Sequence, residues 1–85
     1  MQTFEYIIKD EAGIHARPAG LLVKKVSELS STITLTKDEK SVNASKLFAV
    51  MSLGVKCGDK ITVNISGEKE TEDSEIIKNF FIENF

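Results

Sequence analysis

The chain has 85 residues, which is enough for one small domain, residues 1–85, with a modest core. A formal net charge of −2 argues against a nucleic-acid-binding protein, which normally carries a basic excess on one face. No apolar run approaches the roughly 20 residues of a membrane span, and the first residues lead directly into a strand-like pattern instead of a secretory signal. With a single cysteine, Cys57, no internal disulfide is possible. We therefore expect a cytoplasmic protein without membrane insertion.

The first part of the chain predicts a strand, a loop and a helix. Residues 2–8 form a strand, because apolar side chains alternate along one face: Phe4, Tyr6 and Ile8. A loop ends at Gly13. A helix over 16–28 follows, with core positions at three- and four-residue steps: Ala19, Leu22, Val23, Val26 and Leu29.

The middle of the chain predicts a hairpin and a short helix. Alternation predicts strands over 32–37 and 40–43, joined by a turn at Asp38-Glu39. A helix over 46–53 follows, with Asn43 or Ser45 as its N-cap and Gly54 at its C-terminal end. Val50 and Leu53 are its core candidates.

The last part predicts a strand over 61–66 and a helix over 70–84. Acidic residues in the first turns of this helix suit its dipole, and a buried stripe is expected: Ile76, Ile77, Phe80, Phe81 and Phe85. The order βαββαβα predicts an α+β fold with one antiparallel sheet covered on one face by helices.

The segment 13–20, Gly-Ile-His-Ala-Arg-Pro-Ala-Gly, holds the only histidine, arginine and proline of the chain. Proline suits the first turn of a helix, so we expect His15 at or just outside the N-cap. The amides of Ala16 and Arg17 and the Arg17 guanidinium would then attract an anion. A histidine beside such a site can accept and release a phosphoryl group.

Other interpretations of this histidine remain open from the residues alone. A lone histidine beside a proline is usually a surface or capping residue. Metal binding is disfavoured, because the chain has no second histidine and Cys57 is far away in sequence, in a turn-like segment. No cofactor is indicated.

The segment 13–19 resembles the active-site motif of HPr, the histidine-containing phosphocarrier of the bacterial sugar phosphotransferase system. Val50-Met51-Ser52-Leu53-Gly54 is similar to the family's short second helix and its end, and chain length agrees. The resemblance implies an HPr-like open-faced β-sandwich, with a four-stranded antiparallel sheet and three helices on one face. It implies a monomer that enzyme I phosphorylates on His15 at the expense of phosphoenolpyruvate, and that passes the group to the IIA domains of sugar permeases. Such a carrier has no independent turnover.

The resemblance also implies which residues carry the site. The family uses ring nitrogen Nδ1 of the histidine, and Arg17 with the backbone amides of Ala16 and Arg17 would offset the charge of the phosphoryl group. An exposed apolar patch would dock partners: Leu47, Phe48 and Met51. Positive residues would surround it: Arg17, Lys24 and Lys46. The absent side chain of Gly20 either leaves room for a partner or reflects drift at a tolerant position.

Two positions depart from the family pattern. Ala12 stands where the family often has a serine or asparagine that can hydrogen-bond near the imidazole. Lys46 stands where kinase-regulated members have a serine, and the hydroxyl of Ser45 lies one residue earlier. On a helix, one residue rotates a side chain by about 100°. A kinase that recognises the family serine is therefore expected to miss Ser45. Because Lys46 has no hydroxyl, we also expect no regulatory phosphoserine at position 46.

Three alternative functions differ in how well they fit these residues. A regulatory HPr-like paralogue would act by protein binding through the phosphorylated serine, but this chain has the histidine and lacks that serine. A specialised carrier for a non-sugar branch would carry the same motif. An RNA-binding α+β domain is disfavoured by the net negative charge of the chain and by the lack of paired aromatic residues on the inner strands.

Overall fold

Four strands and three helices follow one another along the chain in the predicted order βαββαβα. The structure, a computed structural model, describes all 85 residues. The elements are β1 (Gln2–Ile7), α1 (Ala16–Ser27), β2 (Thr32–Lys37), β3 (Lys40–Asn43), α2 (Leu47–Ser52), β4 (Lys60–Ser66) and α3 (Glu70–Asn84). Each predicted element is present, and the ends differ from the prediction by one residue at most.

The sheet is fully antiparallel, with strand order β1-β4-β2-β3. The central strand β4 places Val63 directly opposite Phe4 of β1 and Leu35 of β2. Residues opposite each other share a face of the sheet, so these three side chains point to the same side. The neighbouring positions on the other face are polar, for example Thr62 and Asn64, which leaves that face open to solvent.

All three helices cover the apolar face of the sheet. Each contributes fully buried side chains, because its apolar residues recur on the side that faces the strands. The core includes Ile33, Leu35, Ile61, Val63 and Ile65 from the sheet and Ala19, Leu22, Val50, Ile77 and Phe81 from the helices. This arrangement confirms the α+β open-faced sandwich with three helices on one face. No helix has the length and apolar character needed to cross a membrane.

The prediction for the N-cap of α2 was wrong. The N-cap is Lys46, which has extended backbone angles and makes no side-chain capping hydrogen bond. The Oδ1 atom of Asn43 instead accepts the N–H of Ser45 at 2.8 Å. Asn43 therefore closes the turn between β3 and α2, and its side chain is used before the helix begins. Gly54 does end the helix as predicted, with a φ of 64° that favours glycine.

Two residues of the stripe predicted for α3 are not fully buried: Phe80 is half-buried and Ile76 is exposed. Ile76 is 40% exposed, whereas Ile77 and Phe81 are fully buried. The buried face begins instead at Asp73, four residues before Ile77. The Oδ2 atom of Asp73 accepts the N–H of Ser31 at 3.1 Å, so this buried carboxylate is paired with the backbone between α1 and β2.

Candidate functional site

His15 is the N-cap of α1, as the sequence predicts. Its backbone is extended, with φ −110° and ψ 175°, and its carbonyl oxygen accepts the N–H of Ala19 at 2.9 Å. Its imidazole makes no capping hydrogen bond and is 43% exposed. The residue is therefore anchored through its backbone, while close to half of its side chain remains exposed to solvent.

The first turn of α1 offers two backbone donors beside this histidine. The N–H groups of Ala16 and Arg17 have no backbone acceptor, and Pro18 has no N–H at all. Pro18 is buried, so it fixes the turn against the core without competing as a donor. Two free amides at the positive end of a 12-residue helix form an anion-attracting position next to the imidazole.

The loop before His15 is attached to the segment that follows α2. The N–H of Ile14 donates to the carbonyl oxygen of Val55 at 3.2 Å, and Ile14 is buried. Gly13 has a φ of +67°, and a Cβ at this position would lie 2.2 Å from that same oxygen. Only glycine allows this approach. The first motif segment is thus in direct contact with Val55, the residue that follows the second motif segment.

Sequence reasoning missed Asp10, whose Oδ2 atom lies 3.6 Å from Nε2 of His15. Its Oδ1 atom accepts the N–H of Ala12 at 2.8 Å, and its backbone carbonyl accepts the N–H of Gly13 at 2.9 Å. An aspartate three residues before a glycine is a turn signal that the sequence does contain. That signal predicts the turn, but it does not predict a contact with a histidine five residues later.

Arg17 is exposed, and its guanidinium makes no hydrogen bond or ion pair. Its charge is therefore available to an anion at the helix start. Lys24 also belongs to α1 but lies in its last turn. Nine residues of helix place it about 13 Å along the axis from His15. Lys24 is therefore too distant along the helix to contact a group on the imidazole.

Helix α2 packs directly against α1 and exposes apolar side chains. Phe48 is 84% exposed and Met51 is 38% exposed, whereas Val50 is fully buried and Leu53 nearly so. Leu47 is half-buried and packs against the core. The apolar patch is therefore formed mainly by Phe48 and Met51, with Leu47 at its base.

Lys46 and Gly20 complete the residues expected at a partner surface. Lys46 is exposed at the N-cap of α2 and makes no ion pair. Gly20 is half-buried in α1, and a Cβ built on it would meet no atom within 4 Å. The fold itself therefore does not require glycine at position 20.

A lysine–carboxylate pair holds the end of α2. The Nζ atom of Lys37 lies 2.9 Å from Oδ2 of Asp59 and donates to the carbonyl oxygen of Gly54 at 3.0 Å. The same Oδ2 accepts the N–H of Lys56 at 2.8 Å. The hydrogen bond from Lys37, followed by that from Lys56, lowers the pKa of Asp59 below its ordinary value. This cluster fastens the chain after α2 to the end of β2.

Comparison with known proteins identifies the family. The family model described as "PTS HPr component phosphorylation site" matches residues 2–83. This chain belongs to the HPr family. The phosphocarrier protein HPr of Mycoplasma capricolum subsp. capricolum is 37% identical over 83 residues, which cover 98% of this chain and 93% of the relative. The family supports a phosphocarrier role in the phosphotransferase system.

Solved structures of HPr-like proteins have the same fold. A Mycoplasma histidine-containing phosphocarrier protein superimposes with a TM-score of 0.92 at 36% identity, over 96% of this chain and 93% of the other. Crh, the Bacillus subtilis catabolite repression containing protein, is 34% identical with a TM-score of 0.78, over 93% of this chain and 91% of the other. That Crh structure is described as a domain-swapped dimer, so the monomeric state expected here stays a prediction.

Proposed function

We propose that this protein carries a phosphoryl group on His15, which it accepts from phosphorylated enzyme I and passes to the IIA domains of sugar permeases. The observation that carries this proposal is the accessible imidazole at the N-cap of α1, beside two backbone amides without partners. The nucleophile and the groups that bind an anion belong to the same helix turn. Their relative positions are therefore fixed before any partner arrives.

The transfer chemistry requires little beyond this turn. A ring nitrogen of His15 uses its lone pair to form a bond to phosphorus, and the donor keeps the electron pair of the bond that breaks. Arg17 and the amides of Ala16 and Arg17 offset the negative charge of the transferred group. Phosphoryl transfer depends mainly on positioning and charge stabilisation. A small carrier can leave the rest of the positioning and charge stabilisation to its partner proteins. We therefore infer that this protein does not turn over a small-molecule substrate by itself.

The partner surface follows from exposure and charge. The side chains of Phe48 and Met51 form an apolar patch, the kind of surface that marks an interaction site. Three exposed cations without ion pairs lie on the same two packed helices: Arg17, Lys24 and Lys46. This charge favours acidic partners and speeds their encounter. We assign the docking surface for enzyme I and IIA domains to these residues, together with Gly20 and Leu47.

Lys46 also indicates a carrier without serine regulation. In the kinase-regulated HPr proteins that this chain resembles, a phosphoserine at this position would add a charge of about −1.5 to −2 beside the patch. Lys46 has a permanent positive charge and no hydroxyl. We propose that the protein stays competent for transfer at all times and acts in the cytoplasm as a single domain.

The similarity to Crh favours a second candidate, a regulatory paralogue that acts only by protein binding. Two residues count against it. His15 is present and accessible, and position 46, where such a paralogue would need its serine, is a lysine. The phosphocarrier function therefore explains more of the site.

A two-step relay tests the proposed function. The protein is incubated with enzyme I and labelled phosphoenolpyruvate, repurified, and then mixed with an isolated IIA domain. We expect label to enter the protein in the first step and to leave it for the IIA domain in the second. A protein that takes up no label would rule out the carrier function. Uptake without onward transfer would contradict the assignment of IIA domains as acceptors.

A further inference from the structure

We propose that Asp10 is a positioning residue for His15: its carboxylate keeps the ring proton on Nε2 and so presents Nδ1 as the nucleophile. The contact that supports this inference is the 3.6 Å separation between Oδ2 of Asp10 and Nε2 of His15. The identity of the nucleophilic nitrogen matters only if the proposed phosphocarrier function holds. The effect on the ring proton does not depend on that function.

The carboxylate of Asp10 is held in place before any phosphoryl group arrives. Its Oδ1 atom accepts the N–H of Ala12 at 2.8 Å. The residue's own carbonyl accepts the N–H of Gly13 at 2.9 Å, and its N–H donates to the carbonyl oxygen of Phe85 at 2.9 Å. These bonds occupy one carboxylate oxygen and fix the backbone. The other oxygen, Oδ2, is the one that lies towards the imidazole.

Electrostatics then selects one form of the ring. A neutral imidazole carries a proton on one nitrogen and a lone pair on the other. A carboxylate is attracted to the N–H and repelled by the lone pair. The separation is longer than a direct hydrogen bond, so Asp10 acts here as a close charge, with an interaction that falls only slowly with distance. The favoured ring therefore has its proton on Nε2 and its lone pair on Nδ1.

The same carboxylate offsets charge during the transfer. The Nδ1 lone pair forms the new bond to phosphorus, the bond from phosphorus to the phosphorylated donor protein breaks, and the donor keeps that electron pair. The Nε2 proton stays, so the ring becomes cationic while Asp10 faces it with a negative charge. An aspartate acts on histidine in this way in serine hydrolases. A phosphoryl group on Nε2 would instead lie against the carboxylate.

A simpler role for Asp10 would be to close the turn before α1 and nothing more. Asn can accept the N–H of Ala12 with its carbonyl oxygen as well as Asp does. In Asp10→Asn, however, the group that can face His15 is an NH₂ donor, which favours a lone pair on Nε2. This substitution therefore keeps the turn and reverses the electrostatic preference. Glu11→Gln is a matched control, because Glu11 is the next residue, is exposed and makes no ion pair.

The test is ¹⁵N NMR of the histidine ring in the free protein, at a pH where titration shows the imidazole to be neutral. We expect Nδ1 of the wild-type protein to resonate as an unprotonated nitrogen. In Asp10→Asn the two ring shifts should move towards each other as the proton populates Nδ1, while Glu11→Gln keeps the wild-type shifts. Identical ring shifts in wild type and Asp10→Asn would overturn the proposal, as would an equal change in Glu11→Gln.

The rate of phosphorylation by enzyme I tests whether the position of the His15 ring proton affects phosphoryl transfer. We expect Asp10→Asn to be phosphorylated by enzyme I about 10-fold more slowly than wild type, at the lower end of the cost of losing a histidine's orienting carboxylate. Glu11→Gln should keep the wild-type rate. A wild-type protein that is never phosphorylated would refute the phosphocarrier function, while the ring shifts would still decide the role of Asp10. Altered shifts in Asp10→Asn with an unaltered rate would refute its role in transfer.

Discussion

The N–H of Ala19 donates to the carbonyl oxygen of His15 at 2.9 Å, and the side chain of Ala19 is completely buried. The accessible histidine is thus connected to the core by the first hydrogen bond of α1. Its imidazole makes no capping hydrogen bond in return. The helix fixes the position of the residue without engaging its ring, so the ring is free for chemistry while the fold remains stable.

Replacement of Arg17 should slow phosphoryl transfer and leave the stability of the fold almost unchanged. Arg17 is exposed and has no ion pair, so Arg17→Ala should change the free energy of unfolding by less than about 0.5 kcal/mol. The rate of phosphorylation by enzyme I should fall strongly, because a charge beside the transferred group is lost. Stopped-flow transfer kinetics and thermal unfolding measure the two effects.

Lys78→Ala is the control for Arg17, since it removes an exposed cation from α3. It should leave both quantities near the wild-type values. If Arg17→Ala lost stability and transfer in proportion, Arg17 would be a structural residue and its assignment to the site would fail.

Lys46→Glu should slow phosphorylation by enzyme I, with a larger effect at low ionic strength. The substitution places a negative charge beside the apolar patch, and surface charges act over longer distances when salt is low. Lys69→Glu is a closely matched control, because Lys69 is the exposed N-cap of α3. Equal slowing by both variants would mean that net charge, rather than the position of Lys46, is responsible.

Lys46 also bears on regulation. The wild-type protein should not be a substrate for an HPr kinase, and Lys46→Ser should become one. Incubation with such a kinase and ATP, followed by phosphosite mapping, distinguishes the two proteins. Phosphate on Ser45 of the wild-type protein would contradict the proposal of an unregulated carrier.

Asp59→Asn should make stability less sensitive to acid. Because Lys37 lowers the pKa of Asp59 in the folded state, the stabilising contribution is fully present above the unfolded value of about 3.9 and is lost as the pH falls through the folded value. Wild type should therefore unfold at higher temperature than Asp59→Asn at pH 7, and the two should converge in acid. Thermal unfolding across this pH range is the measurement, with Glu39→Gln as an exposed control. A constant difference at every pH would refute the ion pair as the cause.

Gly20→Ala should stabilise the protein by about 0.5–1 kcal/mol, because alanine is the better helix former and the added Cβ meets open space. If the missing side chain leaves room for a partner, the same variant should be phosphorylated more slowly by enzyme I. Gly54→Ala provides the contrast: its Cβ also meets open space, but its φ of +64° should make it destabilising. An unchanged transfer rate in Gly20→Ala would remove this residue from the partner surface.

The sequence predicted the elements well because their apolar periodicity is regular. Alternation through Ile61, Val63 and Ile65 and the helical spacing of Ala19, Leu22 and Val26 correspond to buried residues. The position of His15 followed from the nearby proline. Local signals were therefore sufficient wherever one segment determined its own structure.

The features that were missed depend on which partner a polar side chain finds, either in another segment or within its own turn. Asp73 lies in the acidic first turn of α3, where a carboxylate normally faces solvent, yet it pairs with the backbone of Ser31. Asp10 approaches His15 only because the intervening loop turns back on itself. The cap of α2 was misplaced because the Asn43 side chain bonds within the preceding turn. No periodicity in the sequence reports such pairings.

The central claim is that His15 alone carries the phosphoryl group, and intact mass spectrometry tests it most directly. Wild type and His15→Ala are each incubated with phosphoenolpyruvate and enzyme I. We expect wild type to gain the mass of one phosphoryl group, which acid removes and alkali preserves, as for a nitrogen–phosphorus bond. His15→Ala should keep its unmodified mass. A phosphoryl group on His15→Ala, or none on a wild-type protein mixed with active enzyme I, would contradict the account.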